Sequence, residues 1–302
     1  MDSKAKVLKY DAIFLTVAAI WGFAFVAQRA GMQHVGPFTF ITARFFLGSI
    51  FLLPLVFITG RSRNKNEDSG TQVSCKSFLS GCSMAGVLLF LGASFQQYGL
   101  VYTTAGKAGF ITGLYVIIVP VLGLLWGYRT GLGTWLGAVL AIAGLCLLSI
   151  KGRFGIDVGD LLVFFSAFFW AGHVLIIARL SVRFDSLRVA LFQYLVCCVL
   201  SLIMAMITEE IVFERLFDAL VPILYAGIMS TGIAFTLQVV GQRYAHPTHA
   251  SIIMSMEAVF AVAGGWLILG EIMPLRNFAG CGLMLGGMIV SQIHARKQTK
   301  VT

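Results

Sequence analysis

A single acid stands in the middle of a long apolar run near the end of the chain. Glu257 lies ten residues after Pro247, and His246 and His249 precede it in the same run. In a helix, His246 would share a face with Glu257 about 16 Å away, and His249 would lie about a quarter turn off that face. This arrangement suits proton transfer or recognition of an amine, because an intramembrane acid usually marks a pathway. The alternative is a protonated Glu257 that bonds a neighbouring helix.

Two bases lie in earlier apolar runs, one inside its run and one at the start. Arg44 lies seven residues, or about 10 Å, inside the second run. It would either bind a carboxylate or make a structural pair with a carbonyl group or a Glu side chain. Lys107 opens the fourth run, where it would attract anions or anchor the helix at the membrane interface.

Several amides and aromatic residues are further candidates. Gln96 and Gln238 lie at equivalent places in the third and eighth runs, where they would line a cavity or bond helix to helix. Trp21 belongs to a stripe at helical spacing in the first run, and His173 lies on its counterpart; both would line a wall or pack. Tyr115 would offer a hydroxyl group or join an interfacial belt. The candidates for contact with a substrate or a coupled proton are therefore Glu257, Arg44, Trp21, Gln96, Gln238, His249, Tyr115 and His173.

Signatures of enzyme and metal chemistry are weak. The motifs HExxH and GxSxG and the phosphate-binding P-loop do not occur, and the six cysteines form no CxxC pair. Gly92-Ala93-Ser94 resembles part of a serine-protease motif with His249 as a base, but three letters in a Gly-rich chain carry little weight. We expect no catalysis, no cofactor and no bound metal, and we expect reduced cysteines that pack between helices.

The composition places these residues in a membrane. Of the 302 residues, 58% are apolar and 12% are charged, whereas soluble domains carry roughly twice that charged fraction. The net charge of +9 lies in short segments between apolar runs. It therefore indicates orientation in a bilayer and not binding to nucleic acid.

Ten apolar runs are each near the roughly twenty residues that cross the hydrocarbon core. They cover residues 10–30, 37–59, 77–101, 105–127, 132–150, 158–178, 187–208, 217–240, 247–269 and 274–293. With the N-terminus inside, the inner segments hold fifteen Lys and Arg residues and the outer segments hold six. This bias predicts that both tails, residues 1–9 and 294–302, are cytoplasmic.

The two halves of the chain resemble each other. Four residues recur 143 positions later: Gly127, Leu132, Gly137 and Gly144 match Gly270, Leu275, Gly280 and Gly287. Three residues recur 149 positions later: Asp11, Ala18 and Trp21 match Asp160, Ala167 and Trp170. Five runs in each half thread the second repeat through the membrane in the opposite sense. The sequence therefore predicts an all-α membrane protein of ten transmembrane helices in two inverted five-helix repeats, residues 10–150 and 158–293. A binding site is expected near the midplane between such repeats.

Two GxxxG steps occur in the fifth and tenth runs, at Gly133–Gly137 and Gly282–Gly286. Small residues at this spacing allow close helix contact, within the monomer or across a homodimer. Both alternatives stay open.

Short motifs along the whole chain resemble the EamA family of the drug/metabolite transporter superfamily. The resemblance is carried by Ala19-Ile20-Trp21-Gly22-Phe23, Pro37 with Ala43-Arg44-Phe45, Thr104-Ala105-Gly106 with Pro120, Met256-Glu257-Ala258-Val259-Phe260, and Gly270-Glu271. Ala258 stands where the family usually has Pro, and Tyr128 stands where its first half usually has Glu.

The resemblance implies a ten-helix transporter of small metabolites, often an exporter of amino acids or related compounds. Together with the repeat, it predicts a secondary transporter that works by alternating access and is driven by a gradient or by exchange, with Glu257 as the residue that couples a proton or contacts the substrate. The expected location is the bacterial inner membrane, with an organelle membrane as the alternative. The expected partners are a small-molecule substrate and the lipid bilayer. The alternatives are an exporter of hydrophobic cations, an intramembrane hydrolase and a non-transporting scaffold.

Overall fold

All ten predicted spans are helical. A computed structural model describes residues 3–63, 74–128, 131–149, 158–270 and 275–298, and none of these residues forms a β-strand. The helices are α1 (Ser3–Gly31), α2 (Pro37–Arg63), α3 (Cys75–Tyr102), α4 (Ala105–Thr112 and Tyr115–Leu125), α5 (Leu132–Ser149), α6 (Val158–Arg183), α7 (Ser186–Thr208), α8 (Leu220–Gln242), α9 (Pro247–Met254 and Glu257–Leu269) and α10 (Leu275–Gln298). A further short helix, Phe213–Asp218, precedes α8.

Eight of these helices are long and apolar enough to cross a bilayer, which confirms an all-α, multi-pass membrane protein. The other two, α5 and α10, contain shorter apolar stretches at Leu132–Gly144 and Phe278–Gly287. These two helices pack along each other. The count of ten crossings is consistent with this arrangement.

Two predicted spans are interrupted in the middle. α4 breaks at Gly113-Leu114 and α9 breaks at Ser255-Met256. At each break the backbone tightens, because Leu114 N donates to Ile111 O and Met256 N donates to Ile253 O, three residues back. The break in α9 forms without a proline at position 258.

α8 departs from regular helix in another way. Residues Tyr225–Phe235 form wide turns in which backbone bonds reach five residues back, and the Thr231 hydroxyl likewise donates to Ala226 O. Wide turns of this kind are rare and often occur at functional sites. The sequence predicted an uninterrupted helix over 217–240.

Capping residues and glycines at the helix ends explain how the short turns at 103–104 and 243–246 can join adjacent spans. Thr104 caps α4 by accepting from Lys107 N, and His246 caps α9 by accepting from Thr248 N. Pro247 occupies the first turn of α9, where its missing N–H costs nothing. Gly127 and Gly270 follow the ends of α4 and α9 with φ of 81° and 67°. Their recurrence in the sequence thus reflects two equivalent left-handed positions.

Reciprocal glycine contacts relate the two halves by a two-fold axis. On α5 and α10, Gly144 lies against the carbonyl group of Gly280, and Gly287 lies against the carbonyl group of Gly137. Because Gly280 and Gly287 are the repeats of Gly137 and Gly144, exchanging the halves maps one contact onto the other. The earlier glycine of α5 contacts the later glycine of α10, and the later one contacts the earlier, so the two helices are antiparallel.

Of the two alternatives for the GxxxG step at Gly282–Gly286, the described structure does not show contact within the monomer. A Cβ atom on either Gly282 or Gly286 would meet no atom within 4 Å. The close contact with α5 is made instead by Gly280 and Gly287, because they lie on the other face of α10. Contact across a homodimer stays a prediction.

α2 and α7 form a second antiparallel pair of equivalent helices. Glu209, after the end of α7, accepts from Phe38 N at 2.7 Å and from Thr39 N at 2.8 Å at the start of α2. Further along, the Cys198 thiol donates to Thr42 O at 3.7 Å. The carboxylate accepts from backbone N–H groups that have no partner within α2, at the positive end of the helix dipole. This contact joins the two halves of the chain.

Some sequence features lie outside the described residues. They include Glu271 of the Gly270-Glu271 motif and the polar segment 64–73 between α2 and α3.

Candidate functional site

A cavity lies among α1, α2, α3, α4, α6, α8 and α9, near the middle of the spans. Six of the eight candidate residues line it: Glu257, Arg44, Trp21, Gln96, Gln238 and Tyr115. Its volume is about 40 Å³, and since one water needs about 10–15 Å³ of such volume, it has room for a few water molecules.

Glu257 faces the cavity at the break in α9. It begins the second half of the helix, is 4% exposed, and its Oε1 atom has no hydrogen-bond partner among the described residues. Tyr115 begins the second half of α4 in the same way. Its hydroxyl group lies beside the Glu257 carboxyl without meeting hydrogen-bond geometry. Both groups are therefore available to a bound molecule.

Arg44 supplies a positive group from α2. Its side chain is 2% exposed and lies over the ring of Phe45, with 4.9 Å between the guanidinium carbon and the ring centroid. Within the described part of the chain, Nε and Nη2 have no hydrogen-bond partner. Buried guanidinium donors without a partner are costly inside a membrane protein, so Nε and Nη2 suit an anionic group of a ligand.

Amide groups add neutral donors and acceptors on opposite walls. Gln96 Nε2 donates to the Thr112 hydroxyl at 3.0 Å, which orients the Gln96 side chain. The Oε1 atoms of Gln238 and Gln28 find no partner in the described structure, although Gln28 Nε2 donates to Ala24 O. Unused acceptors that face a cavity suit an N–H group of a ligand or a water molecule.

Aromatic rings form the remaining wall. Phe235 lies 4.7 Å from Trp21 and 5.8 Å from Trp170, measured between ring centroids. Trp21 Nε1 donates to Ser230 O at 3.4 Å. Ser230 and Phe235 both belong to the wide turns of α8, so this backbone irregularity shapes the wall.

The two candidate histidines lie elsewhere. His173 Nε2 is 2.7 Å from Gln193 Oε1, and its ring contacts Trp170 edge-on at 6.0 Å, behind the aromatic wall. His249 Nε2 is 2.9 Å from Asp11 Oδ1, toward the face of the membrane where α1 begins. Neither lines the cavity. A residue's depth along its helix predicts its height in the membrane but not its lateral neighbours.

Sequence reasoning missed several lining residues, among them Thr112, Ser230, Phe235 and Met254. Phe235 and Ser230 carry no signal, because aromatic and hydroxyl residues are common throughout the chain. Trp170 and Gln28 had a usable signal, since Trp170 is the repeat of Trp21 and Gln28 is seven residues further along the same helix face.

The arrangement offers one cation, one acid, two amide walls and a ring surface within one small space. Such a set has the chemistry to bind a polar molecule with an anionic group and an amine away from bulk water. The covalent chemistry of an enzyme is not needed for this task.

The comparison with known proteins agrees with this geometry. The model of the EamA-like transporter family matches residues 8–150 and again 157–292. An uncharacterized transporter from Archaeoglobus fulgidus is 32% identical over 95% of this chain and 87% of its own length. The uncharacterized transporter YoaV of Bacillus subtilis is 23% identical over 92% of this chain and 94% of its own.

A plant protein and a solved structure extend the comparison. A WAT1-related protein from Arabidopsis thaliana is 23% identical over 86% of this chain and 78% of its own. A crystal structure with 19% identity superposes with a TM-score of 0.77 over 96% of this chain and 98% of the other, which shows a shared fold. The chain therefore belongs to the EamA-like transporter family, within the drug/metabolite transporter superfamily.

Proposed function

We propose that this transporter moves a small polar metabolite by alternating access to the cavity that holds Arg44 and Glu257. The observation that carries the proposal is a pair of buried groups in which Arg44 Nε and Nη2 and Glu257 Oε1 have no partner among the described residues. Oppositely charged groups that are not joined to each other suit a ligand that bridges them. The inverted repeat supports a site of this kind between the two halves.

The substrate class follows from the lining groups. Arg44 would bind a carboxylate through two N–H donors, and Glu257 with Tyr115 would bind an amine. Trp21 and Phe235 would cover an apolar part of the molecule. Amino acids and related compounds have this combination of groups. A cavity with room for a few water molecules must widen to admit a larger molecule, so the surrounding helices would separate on binding.

Glu257 also suits proton coupling. An acid at this depth is costly when ionised and unpaired, so its ionised form requires either water or a positively charged ligand. Release of the ligand would then favour uptake of a proton. A proton gradient could drive transport through this exchange, and the sequence contains no P-loop for driving it with ATP.

For direction and location, we propose export across a bacterial inner membrane with both termini in the cytoplasm. The excess of Lys and Arg in the segments on the N-terminal side supports this orientation.

The test is a screen of uptake and efflux in proteoliposomes, with and without a pH gradient, using labelled amino acids and related metabolites. Wild type should accumulate at least one compound, and the Glu257→Gln variant should lose the response to the gradient. Glu214→Gln is the matched control, because Glu214 lies exposed on the short helix before α8. Equal gradient-driven rates in wild type and Glu257→Gln would remove Glu257 from the mechanism.

An exporter of hydrophobic cations is the second candidate. The rings of Trp21, Trp170 and Phe235 beside an acid favour it, since aromatic faces attract cations. Arg44 disfavours it through charge repulsion. Cationic dyes that compete for transport, and transport that survives Arg44→Gln, would support the cation exporter over the metabolite transporter.

A further inference from the structure

Two stacks of aromatic rings and cations lie on the face of the protein where α1 begins. In the first, the rings of Tyr10 and Tyr244 are stacked with 4.6 Å between their centroids. Lys9 Nζ lies 5.9 Å from the centroid of the Tyr10 ring, and the guanidinium carbon of Arg243 lies 5.9 Å from that of the Tyr244 ring. Lys9 and Tyr10 belong to α1, whereas Arg243 and Tyr244 follow the end of α8. This stack therefore joins two helices from different halves of the chain.

The second stack lies at the end of α4. The guanidinium carbon of Arg179 on α6 lies 4.8 Å from the centroid of the Trp126 ring and 5.9 Å from that of the Tyr128 ring. Arg179 Nη2 also donates to Trp126 O at 2.7 Å. The Tyr128 ring meets the His246 ring edge-on at 5.5 Å, and His246 is two residues after Tyr244. The two stacks thus meet at the turn 243–246, and we call them together the stacked patch.

The stacked patch lies at the depth of the lipid headgroups. Tyr10 is in the first turn of the apolar span Val7–Gly31, and Trp126 and Tyr244 directly follow the ends of two other spans. Tyr and Trp are enriched at this depth, because their rings suit the boundary between hydrocarbon and water. Tyr244 is 58% exposed and Trp126 is 39% exposed. Both rings are therefore open to a molecule that reaches the patch from the bilayer.

Nearby acids do not balance the charge of the stacked patch. Lys9 and Arg179 are exposed, and Arg243 is half-buried. Of the described acids on this face, Asp11 is buried, and Asp185 caps the start of α7. The exposed acids of the described structure lie at the opposite face: Glu210, Glu214 and Asp218. The patch therefore presents three positive charges to its surroundings.

We infer that the stacked patch binds an anionic phospholipid of the adjoining leaflet. The lipid phosphate lies against the three bases, and its glycerol and acyl chains lie beside the exposed rings of Trp126 and Tyr244. A guanidinium group binds phosphate through two parallel donors, and a cation near the membrane surface attracts anionic lipid. Cations that already lie over rings lose less freedom when they bind. A lipid fits better than a soluble anion, because the patch combines charge with rings at the edge of the hydrocarbon.

Binding at this place has a structural consequence. The first stack joins α1 to the end of α8, and the second joins α6 to the end of α4. A phosphate that contacts bases of both stacks therefore connects the ends of four helices, and bound lipid should raise the melting temperature. The site lies on the outside of the protein, so the inference does not depend on which compound the cavity binds.

The test is native mass spectrometry of the protein in detergent with an equimolar mixture of dioleoyl phosphatidylglycerol and dioleoyl phosphatidylcholine. These lipids share their acyl chains and differ in headgroup charge. Wild type should retain phosphatidylglycerol in preference to phosphatidylcholine by roughly tenfold or more. A patch variant that replaces the three bases should lose most of this preference: Lys9→Gln, Arg179→Gln and Arg243→Gln. The matched control replaces three exposed bases of the same face outside both stacks and should keep it: Lys76→Gln, Arg183→Gln and Arg188→Gln.

A second variant changes the geometry of the bases and keeps their charge. Arg179→Lys with Arg243→Lys retains three cations but removes the planar groups that stack on the rings and bind phosphate through two donors. It should lower the preference for phosphatidylglycerol severalfold, and it decides the question if the patch variant does not fold. Phosphatidylglycerol should also raise the melting temperature of wild type more than that of either variant. Glycerol phosphate in large excess should not displace the lipid.

Three results would overturn the inference. Equal losses of phosphatidylglycerol in the patch variant and the matched control would show a general attraction to a positive face and not a site. Equal retention of the two lipids by wild type would show that the headgroup charge is not recognised. Displacement of the lipid by glycerol phosphate would show that the patch binds a soluble anion.

Discussion

Tyr115 and Glu257 begin the second halves of two equivalent broken helices, and their side chains lie next to one another in the cavity. The two breaks thus bring a phenol and a carboxyl together in one buried place. A second acid there would repel Glu257, whereas the neutral Tyr115 hydroxyl does not.

The first prediction concerns this hydroxyl. Tyr115→Phe should lower the rate of substrate transport about fivefold, because a bound amine loses one hydrogen-bond partner worth about 1 kcal/mol. Rates in proteoliposomes measure the effect. The control is Tyr102→Phe, since Tyr102 is 61% exposed and lies outside the cavity. Equal losses in the two variants would argue against a role for Tyr115.

A second prediction concerns the anionic group of the substrate. Arg44→Gln should raise the KM for substrates with a free carboxylate by roughly tenfold or more, since a charge-assisted bond contributes about 1.5–3 kcal/mol. Amide analogues of the same compounds should be affected much less. Arg188→Gln is the control, because Arg188 is exposed near the start of α7. An unchanged KM for carboxylates would show that Arg44 has a structural role.

The glycines between α5 and α10 yield a prediction about stability. Gly144→Ala and Gly287→Ala should each destabilise the protein by about 1–3 kcal/mol, because the added methyl group meets a backbone carbonyl of the other helix. Gly282→Ala and Gly286→Ala add the same group on the open face of α10 and should be neutral. Thermal unfolding in detergent compares the four variants. A loss at Gly286 equal to that at Gly287 would contradict the packing.

A fourth prediction concerns the ion pair between Lys107 of α4 and Asp160 of α6. Asp160→Asn should destabilise the protein by about 1.5–3 kcal/mol, because it removes a charge-assisted bond from an ion pair that is only partly exposed to solvent. Exchanging the partners, Lys107→Asp with Asp160→Lys, should recover part of the loss. The melting temperature in detergent measures both effects. A double variant less stable than Asp160→Asn would show that the charges do not act as a pair.

Much of the architecture is predictable because its signal is local. A run of about twenty apolar residues predicts a span regardless of its neighbours, and all ten runs are helical. The breaks at Gly113-Leu114 and Ser255-Met256 and the wide turns of α8 had no comparable signal. They depend on packing around the cavity, which a single helix does not contain.

Some residues of the site could be predicted from the sequence, and others could not. Arg44, Gln96, Gln238 and Glu257 could be predicted to face a cavity because a polar group is costly in lipid, and all four line it. His173 and His249 obey the same rule but satisfy it through Gln193 and Asp11. Those partners lie on other helices, so only the folded structure distinguishes a residue that joins two helices from one that lines the cavity.

The most direct measurement is the accessibility of Gln238→Cys in the cavity to an impermeant thiol reagent, applied from each face of oriented membranes in a cysteine-free background. Alternating access to one midplane site predicts labelling from both faces and protection from both by a transported substrate. Labelling that is confined to one face under every condition, or that no transported substrate slows, would contradict a single shared cavity.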